Sequence, residues 1–225
     1  MRIYLAGQKA FGAAVYALIR GLGHDIAGVS APPYDSAGKG PDRLRAAAER
    51  GRTPWLAAGA LKESTLPADV DLIVAAHSHD FIGRATRGKA RLGAVGYHPS
   101  LLPRHRGRDA VRWTIHMGDT IAGGSVYWLG ETVDGGDIAA RDFVFVAPGE
   151  TVDSLWREKL FPLGLRLLEA TLNDLAAGVI RREPQDPRVA TWEPSWSRPP
   201  VTRPDLLQLG AAPAGFTIEQ KAARG

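Results

Sequence analysis

The residues of this chain best suited to chemistry are His98 and Asp134. His98 opens the run His98-Pro-Ser-Leu-Leu-Pro-Arg-His-Arg-Gly107, a proline-stiffened loop that offers an imidazole. Asp134 lies in Glu131-Thr-Val-Asp-Gly-Gly-Asp-Ile138, a glycine-rich turn able to bend a carboxylate back toward that ring. An imidazole and a carboxylate delivered by separate loops can move a proton while an acyl group changes hands. Each also has a plainer reading. A His after a strand can be a hydrogen-bonded structural residue, and an Asp before two glycines can accept hydrogen bonds within its own turn.

Positioning the pair falls to alternating strands and helices. Arg2-Ile-Tyr-Leu-Ala6 is a β-rich run ending in Gly7, after which Phe11, Val15, Leu18 and Leu22 recur at helical spacing. Gly23 stands where a helix-terminating glycine belongs. His24–Ser30 reads as a second strand, Pro41–Arg50 as a helix, Val70–Ala75 as a buried strand, and Leu92–Tyr97 as a short strand that hands the chain to His98. This pattern predicts an α/β fold: a Rossmann-like, mostly parallel sheet with helices on both faces. Ligands of such sheets bind beyond the carboxyl ends of the strands, where His98 falls.

Beyond residue 120 the pattern changes. Gly124–Leu129 and Arg141–Val146 are β-rich runs flanking Asp134-Gly-Gly-Asp137, as in an antiparallel pair. Thr151 can cap a long helix striped by Trp156, Leu160, Leu163, Leu167 and Leu168, with a kink expected at Pro162. The catalytic domain is thus expected over residues 1–180. Residues 181–225, rich in Pro and Arg and carrying Trp192 and Trp196, read as an irregular extension packed on the body or on a partner subunit, which allows a homodimer.

Composition narrows the class. With 225 residues, 44% of them hydrophobic, and six tryptophans, the chain has ample core for one large domain. The net charge of +4 comes largely from arginines in Arg84–Arg91, Arg104–Arg112 and Arg181–Arg203. These are either a solvated basic face or an attraction for an anion such as a phosphate or a glutamate tail. No dense basic run points to nucleic acid. The absence of cysteine removes disulfides and thiolate chemistry, and suits the cytoplasm. Gln8, Lys9 and Arg20 interrupt the apolar N-terminus, and no run reaches the roughly 20 residues of a membrane span, so neither a signal peptide nor a membrane association is expected.

Two further patterns carry less. His77 and His79 flank Ser78 and could chelate a metal, but no third ligand stands at useful spacing, so they are expected as polar loop residues and no metal is expected. Gly7-Gln-Lys-Ala-Phe-Gly12 is a glycine-bounded turn lacking the third glycine of a dinucleotide site and the lysine of a P-loop.

The stretch from Gly96 to about Val146 resembles the core of the formyltransferase family, which uses 10-formyltetrahydrofolate as donor. His98-Pro-Ser-Leu-Leu-Pro103 matches the family's His-x-Ser-Leu-Leu-Pro loop, Arg106-Gly107, Trp113 and Gly118-Asp119 match the segment just downstream of that loop, and Asp134-Gly-Gly-Asp-Ile138 matches its Asp-x-Gly-x-Ile turn. A weaker likeness covers Arg2 to about Gly178. Its texture is that of the N-terminal hydrolase domain of 10-formyltetrahydrofolate dehydrogenases, through Gly7-Gln8, Phe11-Gly12, Tyr97-His98-Pro99 and Leu160-Phe161-Pro162.

The resemblance implies that His98 and Asp134 are catalytic, stabilising the oxyanion of a tetrahedral intermediate and relaying the nucleophile's proton. It implies that Phe81, Ile82, Val133, Gly135, Gly136 and Ile138 line the pterin pocket. Gly7, Gln8, Phe11, Gly96, Ser100 and Arg106 then fall to the substrate side, with Ser100 and the two leucines shaping the loop beneath the site. One departure stands out: Gly96 replaces the Asn of most transferases, whose amide helps hold the formyl oxygen. Loss of one such donor costs about 2.7–4 kcal/mol, roughly 100–1,000-fold in rate. The glycine is expected to leave a space filled by water, His77, His79 or part of the acceptor, or else to make a slow enzyme.

The chain shows neither the C-terminal domain that tRNA formyltransferases use nor the Gly-Ser-Asn phosphate loop of the glycinamide ribonucleotide enzymes, so tRNA is not an expected partner. A small amine or hydroxylamine acceptor is expected. Water as acceptor (a 10-formyltetrahydrofolate hydrolase) and a folate-binding module with degraded catalysis are the alternatives.

Overall fold

The computed structural model describes residues 1–78 and 80–196. His79 and the part of the C-terminal extension from residue 197 onward lie outside the described residues. The chain runs β1 (Arg2–Gly7), α1 (Lys9–Gly21), β2 (Asp25–Ala31), α2 (Arg43–Arg50), β3 (Trp55–Ala57), β4 (Leu72–Ala76), α3 (Arg84–Lys89), β5 (Ala94–His98), α4 (Ala110–His116), β6 (Ile121–Trp128) and β7 (Ile138–Phe145). The last helical stretch comprises α5 (Val152–Ser154), a π-helical segment (Leu155–Leu160) and α6 (Phe161–Ala176).

All seven strands form one sheet in the order β3-β2-β1-β4-β5-β6-β7. The first five are parallel, and β6 and β7 are antiparallel to their neighbours, as the sequence pattern implies. Strand residues alternate between faces. Ile3, Leu5, Val74, Val95 and Tyr97 belong to a core with Phe11, Val15 and Ile19 of α1 and Leu163, Leu168 and Leu172 of α6. On the opposite face Tyr4, Ala6, Ile73 and Ala94 pack with Leu61, Leu66 and Ile82.

Several boundaries differ from expectation for local reasons. Helix α2 starts at Arg43 rather than Pro41 because Asp42 caps it, accepting the Leu44 N–H at 2.8 Å and the Lys9 N–H at 2.8 Å. Strand β6 begins at Ile121, three residues before the expected Gly124. Its glycines hide the strand from propensity, yet they are needed: a Cβ on Gly124 would stand 2.5 Å from the Tyr97 hydroxyl, and one on Gly123 2.5 Å from Leu101. Thr151 does cap the last helical stretch, in a reciprocal pair with Ser154. The irregularity expected at Pro162 takes the form of the π-helical segment before it, whose Leu160 carbonyl accepts the Tyr97 hydroxyl at 2.7 Å. Among the described residues, no helix is long and apolar enough to cross a membrane.

Candidate active site

His98 is the last residue of β5 rather than the first of a loop, so the sheet itself sets the direction of its ring. By alternation it shares a face with Gly96, which pairs with Tyr127 across the antiparallel β5–β6 ladder. That pairing explains how Asp134 reaches it. Trp128 near the end of β6 lies opposite Val95, so the β6–β7 connection leaves the sheet at the amino end of β5 and folds back over the face. The neck of this loop is closed by Trp128 N–H donating to the Asp137 carbonyl at 2.8 Å. Only glycine fits beside it: a Cβ on Gly136 would lie 1.8 Å from the Trp128 oxygen.

At the tip, Asp134 adopts a left-handed backbone with φ 51°. Such a conformation costs a non-glycine residue about 1–2 kcal/mol and persists where surrounding contacts determine it. Here Asp134 Oδ1 accepts the Tyr127 hydroxyl at 2.6 Å and Oδ2 accepts the Gly107 N–H at 2.7 Å. Burial first, and the neighbouring Asp134 charge second, hold the Tyr127 phenol well above its usual range, so it remains a donor. Asp134 Oδ2 stands 3.6 Å from His98 Nδ1, an ion-pair distance when the ring is protonated. Both groups are buried, at 7% exposure for His98 and 9% for Asp134.

The other ring nitrogen of His98 is fixed. Nε2 lies 2.7 Å from the His105 carbonyl oxygen, which can only accept, so Nε2 carries the hydrogen. The neutral ring therefore turns its lone pair at Nδ1 toward Asp134. His105 is itself locked: Nδ1 meets Glu193 Oε1 at 2.9 Å and Nε2 meets Asp119 Oδ2 at 2.8 Å. Donation from both nitrogens requires an imidazolium. Arg104 grips the same Asp119 through two bonds of 2.6 and 2.8 Å. Burial works against ionisation of Asp119, yet Arg104 and His105 together hold its carboxyl below the usual range.

Arg106 connects the two loops. Its Nε and one terminal nitrogen donate to Gln185 Oε1 at 3.1 and 2.7 Å, while Gln185 Nε2 donates to the carbonyls of Asp134 (2.8 Å) and Gly136 (2.6 Å). A Cβ on Gly135 would lie 3.5 Å from the guanidinium, so Arg106 stands against the Asp134 turn. On the other side, Arg87 donates to the Ile82 carbonyl at 2.6 Å and to Glu131 at 2.9 Å, drawing the Phe81–Ile82 segment to the same turn.

The residues expected at the site are placed in unequal ways. Phe81 (87% exposed) and Val133 (57% exposed) present apolar surface beside it, while Ile82 and Ile138 are buried beneath. Gly7 ends β1 against β4, where a Cβ would meet the Ala76 oxygen at 2.5 Å, and Gln8 is buried next to it. Phe11, expected to touch substrate, is instead enclosed in the core. It is 1% exposed and packed on Tyr97, Trp156 and Phe161, because the first turn of α1 points it inward. Ser100 is buried and donates its hydroxyl to the Arg104 carbonyl at 2.6 Å, shaping the loop beneath the site as expected. The gap expected at Gly96 is closed: a Cβ there would meet Leu129, Tyr127 and Ala75 at 3.3–3.5 Å.

Composition and periodicity held no sign of Tyr127, Gln185, Glu193 or Arg87. His105 and Asp119 lay inside recognised segments, but their pairing depends on chain reversal and has no sequence signal. Among the described residues no group of three or more His, Asp or Glu could hold a metal ion. His77 has a left-handed backbone (φ 58°), with its ring 6.1 Å from that of Trp156.

The chain is 36% identical over 203 residues to mitochondrial 10-formyltetrahydrofolate dehydrogenase of Mus musculus, an alignment covering 86% of this chain and 22% of that relative. It thus spans about a fifth of the length of such relatives. Its fold is similar to that of phosphoribosylglycinamide formyltransferase from Bacillus halodurans, with TM-score 0.65, 21% identity, and 79% of this chain and 96% of the other covered. It is also similar to the N-formyltransferase from Helicobacter canadensis, solved with folinic acid and dTDP-3-aminofucose, with TM-score 0.69, 14% identity, and 85% and 70% covered. At those identities the two structures speak for the fold alone. Residues 39–163, more than half of the chain and including both His98 and Asp134, match the family described as "Formyl transferase", and the chain belongs to that family.

Proposed function

We propose that this chain removes the formyl group from 10-formyltetrahydrofolate and passes it to a small amine or hydroxylamine, with His98 and Asp134 as the catalytic residues. The observation that carries the reading is the buried pair itself: His98 Nδ1 and Asp134 Oδ2 face one another at 3.6 Å while every other polar atom of the two side chains is engaged.

The chemistry rests on the donors and acceptors. Attack of the nucleophile on the formyl carbon makes a tetrahedral adduct whose oxygen gains charge, and Nδ1–H of protonated His98 is the donor placed to meet it. Asp134 balances the imidazolium and accepts the proton that the attacking amine must lose. The C–N10 bond then breaks, N10 takes a proton, and tetrahydrofolate and the formylated amine depart. Tyr127 and Gly107, both donating to Asp134, fix its carboxylate with Oδ2 facing His98. Phe81 and Val133 offer apolar surface for the pterin, and Arg106 offers positive charge beside the same turn.

Water as acceptor is a second reading, favoured by the 36% identity to a 10-formyltetrahydrofolate dehydrogenase. The balance is then formate and tetrahydrofolate. Tetrahydrofolate release from 10-formyltetrahydrofolate, with and without amines and amino sugars and with Asp134→Asn as control, tests both. Release that needs an amine supports transfer; release in buffer alone that Asp134→Asn abolishes supports hydrolysis. Binding without release under any condition overturns both and leaves a folate-binding module.

A further inference from the structure

Residues 183–196 run as a strap across both loops that carry the pair. We propose that this strap is a working part of the active site, with Gln185 and Glu193 as positioning residues that set the separation and ring orientation of His98 and Asp134. The kinetic consequence rests on the formyl-transfer reading above; the geometry does not.

At its near end the strap is fixed to the sheet where the Asp134 turn returns to it: Glu183 and Ile138 exchange both backbone hydrogen bonds, at 2.8 and 3.0 Å. Two residues on, Gln185 uses its whole amide. Two donors go to the Asp134 and Gly136 carbonyls and the oxygen takes both Arg106 bonds. A primary amide does this and its isosteres do not: a carboxylate would repel the two carbonyls, and a thioether would satisfy neither side.

At the far end the strap holds the loop after His98. Thr191 donates its N–H to the Pro103 carbonyl, accepts the Arg106 N–H at its carbonyl, and accepts the His105 N–H at its hydroxyl. Glu193 receives His105 Nδ1. Pro194 accepts the Trp113 indole N–H at 2.9 Å, and the ring of Trp196 lies 5.0 and 4.9 Å from those of Trp113 and His116.

The two anchored residues are those the site can least afford to let relax. Asp134 (φ 51°) and His105 (φ 55°) are both non-glycine residues in the left-handed region. One is the proposed proton acceptor, and the other supplies the carbonyl that fixes the His98 tautomer. Residues in such conformations hold them only under surrounding constraint, and the strap supplies a large share of it on both. His105 is clamped from opposite sides by a strap carboxylate, Glu193, and a body carboxylate, Asp119, so its carbonyl cannot turn away while both bonds stand.

The test uses the full chain and the variants Gln185→Met and Glu193→Gln. Three quantities are read: kcat and KM for tetrahydrofolate release from 10-formyltetrahydrofolate, the melting temperature, and the His98 tautomer from long-range ¹⁵N–¹H NMR spectra assigned with His98→Asn. The expected result is a kcat loss of about 100-fold with KM within about twofold of the parent, the size of effect an ångström of misplacement produces. Alongside it, the single Nε2–H tautomer of the parent gives way to a mixture. Glu193→Gln keeps the side-chain shape and removes the carboxylate charge that faces His105, so it remains informative if Gln185→Met does not fold. Variants with the parent's kcat and the parent's His98 spectrum overturn the proposal. Loss that tracks melting temperature alone, with the tautomer unchanged, also overturns it, since the strap would then be structural. If the parent releases no tetrahydrofolate with any acceptor while the variants still alter the tautomer, the positioning role stands and the formyl-transfer reading falls.

Discussion

His98 Nδ1 and Asp134 Oδ2 face each other across 3.6 Å, close enough for charge to act and too far for a direct hydrogen bond. The remaining two atoms are occupied, Nε2–H by the His105 carbonyl and Oδ1 by Tyr127, and Oδ2 also accepts the Gly107 N–H. A proton arriving at this gap from a reacting group can go to the ring or to the carboxylate. The ring cannot offer its other face without losing the His105 bond.

Asp134→Asn tests the gap directly. The amide keeps the shape and accepts from one of the two donors, but it cannot balance an imidazolium or take a proton. Turnover is expected to fall by about 100- to 10,000-fold, in line with loss of a positioned acid–base group, while 10-formyltetrahydrofolate binding measured by fluorescence stays within a few-fold. Unchanged turnover would remove Asp134 from the mechanism.

Tyr127→Phe leaves the Asp134 carboxylate buried with one fewer donor. The cost to stability is expected at about 1–3 kcal/mol, the penalty of an unsatisfied buried acceptor, read as a shift in urea midpoint.

Gly96→Asn restores the family's amide at a position where Leu129, Tyr127 and Ala75 already stand 3.3–3.5 Å from the added Cβ. It is expected to slow the enzyme rather than speed it, with an overpacking cost of about 1–3 kcal/mol. A faster Gly96→Asn variant would show that Tyr127 yields readily.

Acid should loosen the His105 clamp through Asp119. Its carboxyl is held below the usual range in the folded state: burial opposes ionisation, and Arg104 and His105 outweigh it. A depressed folded pKa contributes stability that is complete above the unfolded value, about 3.9, and is lost as pH falls through the lower folded value. Melting temperature should therefore drop more steeply below about pH 4 in the parent than in Asp119→Asn, which starts lower at neutral pH. Parallel curves would mean that Asp119 carries no linkage.

Gly136→Ala places a methyl where the Trp128 carbonyl lies at 1.8 Å, so the loop neck must open and carry Asp134 with it. Loss of turnover with a lowered melting temperature is expected, and a crystal structure of the variant should show the Asp134 tip withdrawn from His98.

By itself the sequence determined the alternating α/β order, the antiparallel β6–β7 pair, the capped helix at Thr151, and His98 and Asp134 as the residues to watch. Those features are local. Periodicity, turn glycines, capping side chains and a contiguous motif are all written within a few neighbouring residues. The tertiary structure alone decided that Tyr127 and Leu129 close the gap at Gly96. It also decided that Gln185 and Glu193, from a segment whose composition promised only irregular chain, reach both site loops. Cross-strand register fixes the first group, and the return of a chain end over a sheet face fixes the second. Register and return depend on which residues meet at long separation, and no periodicity along the chain encodes that.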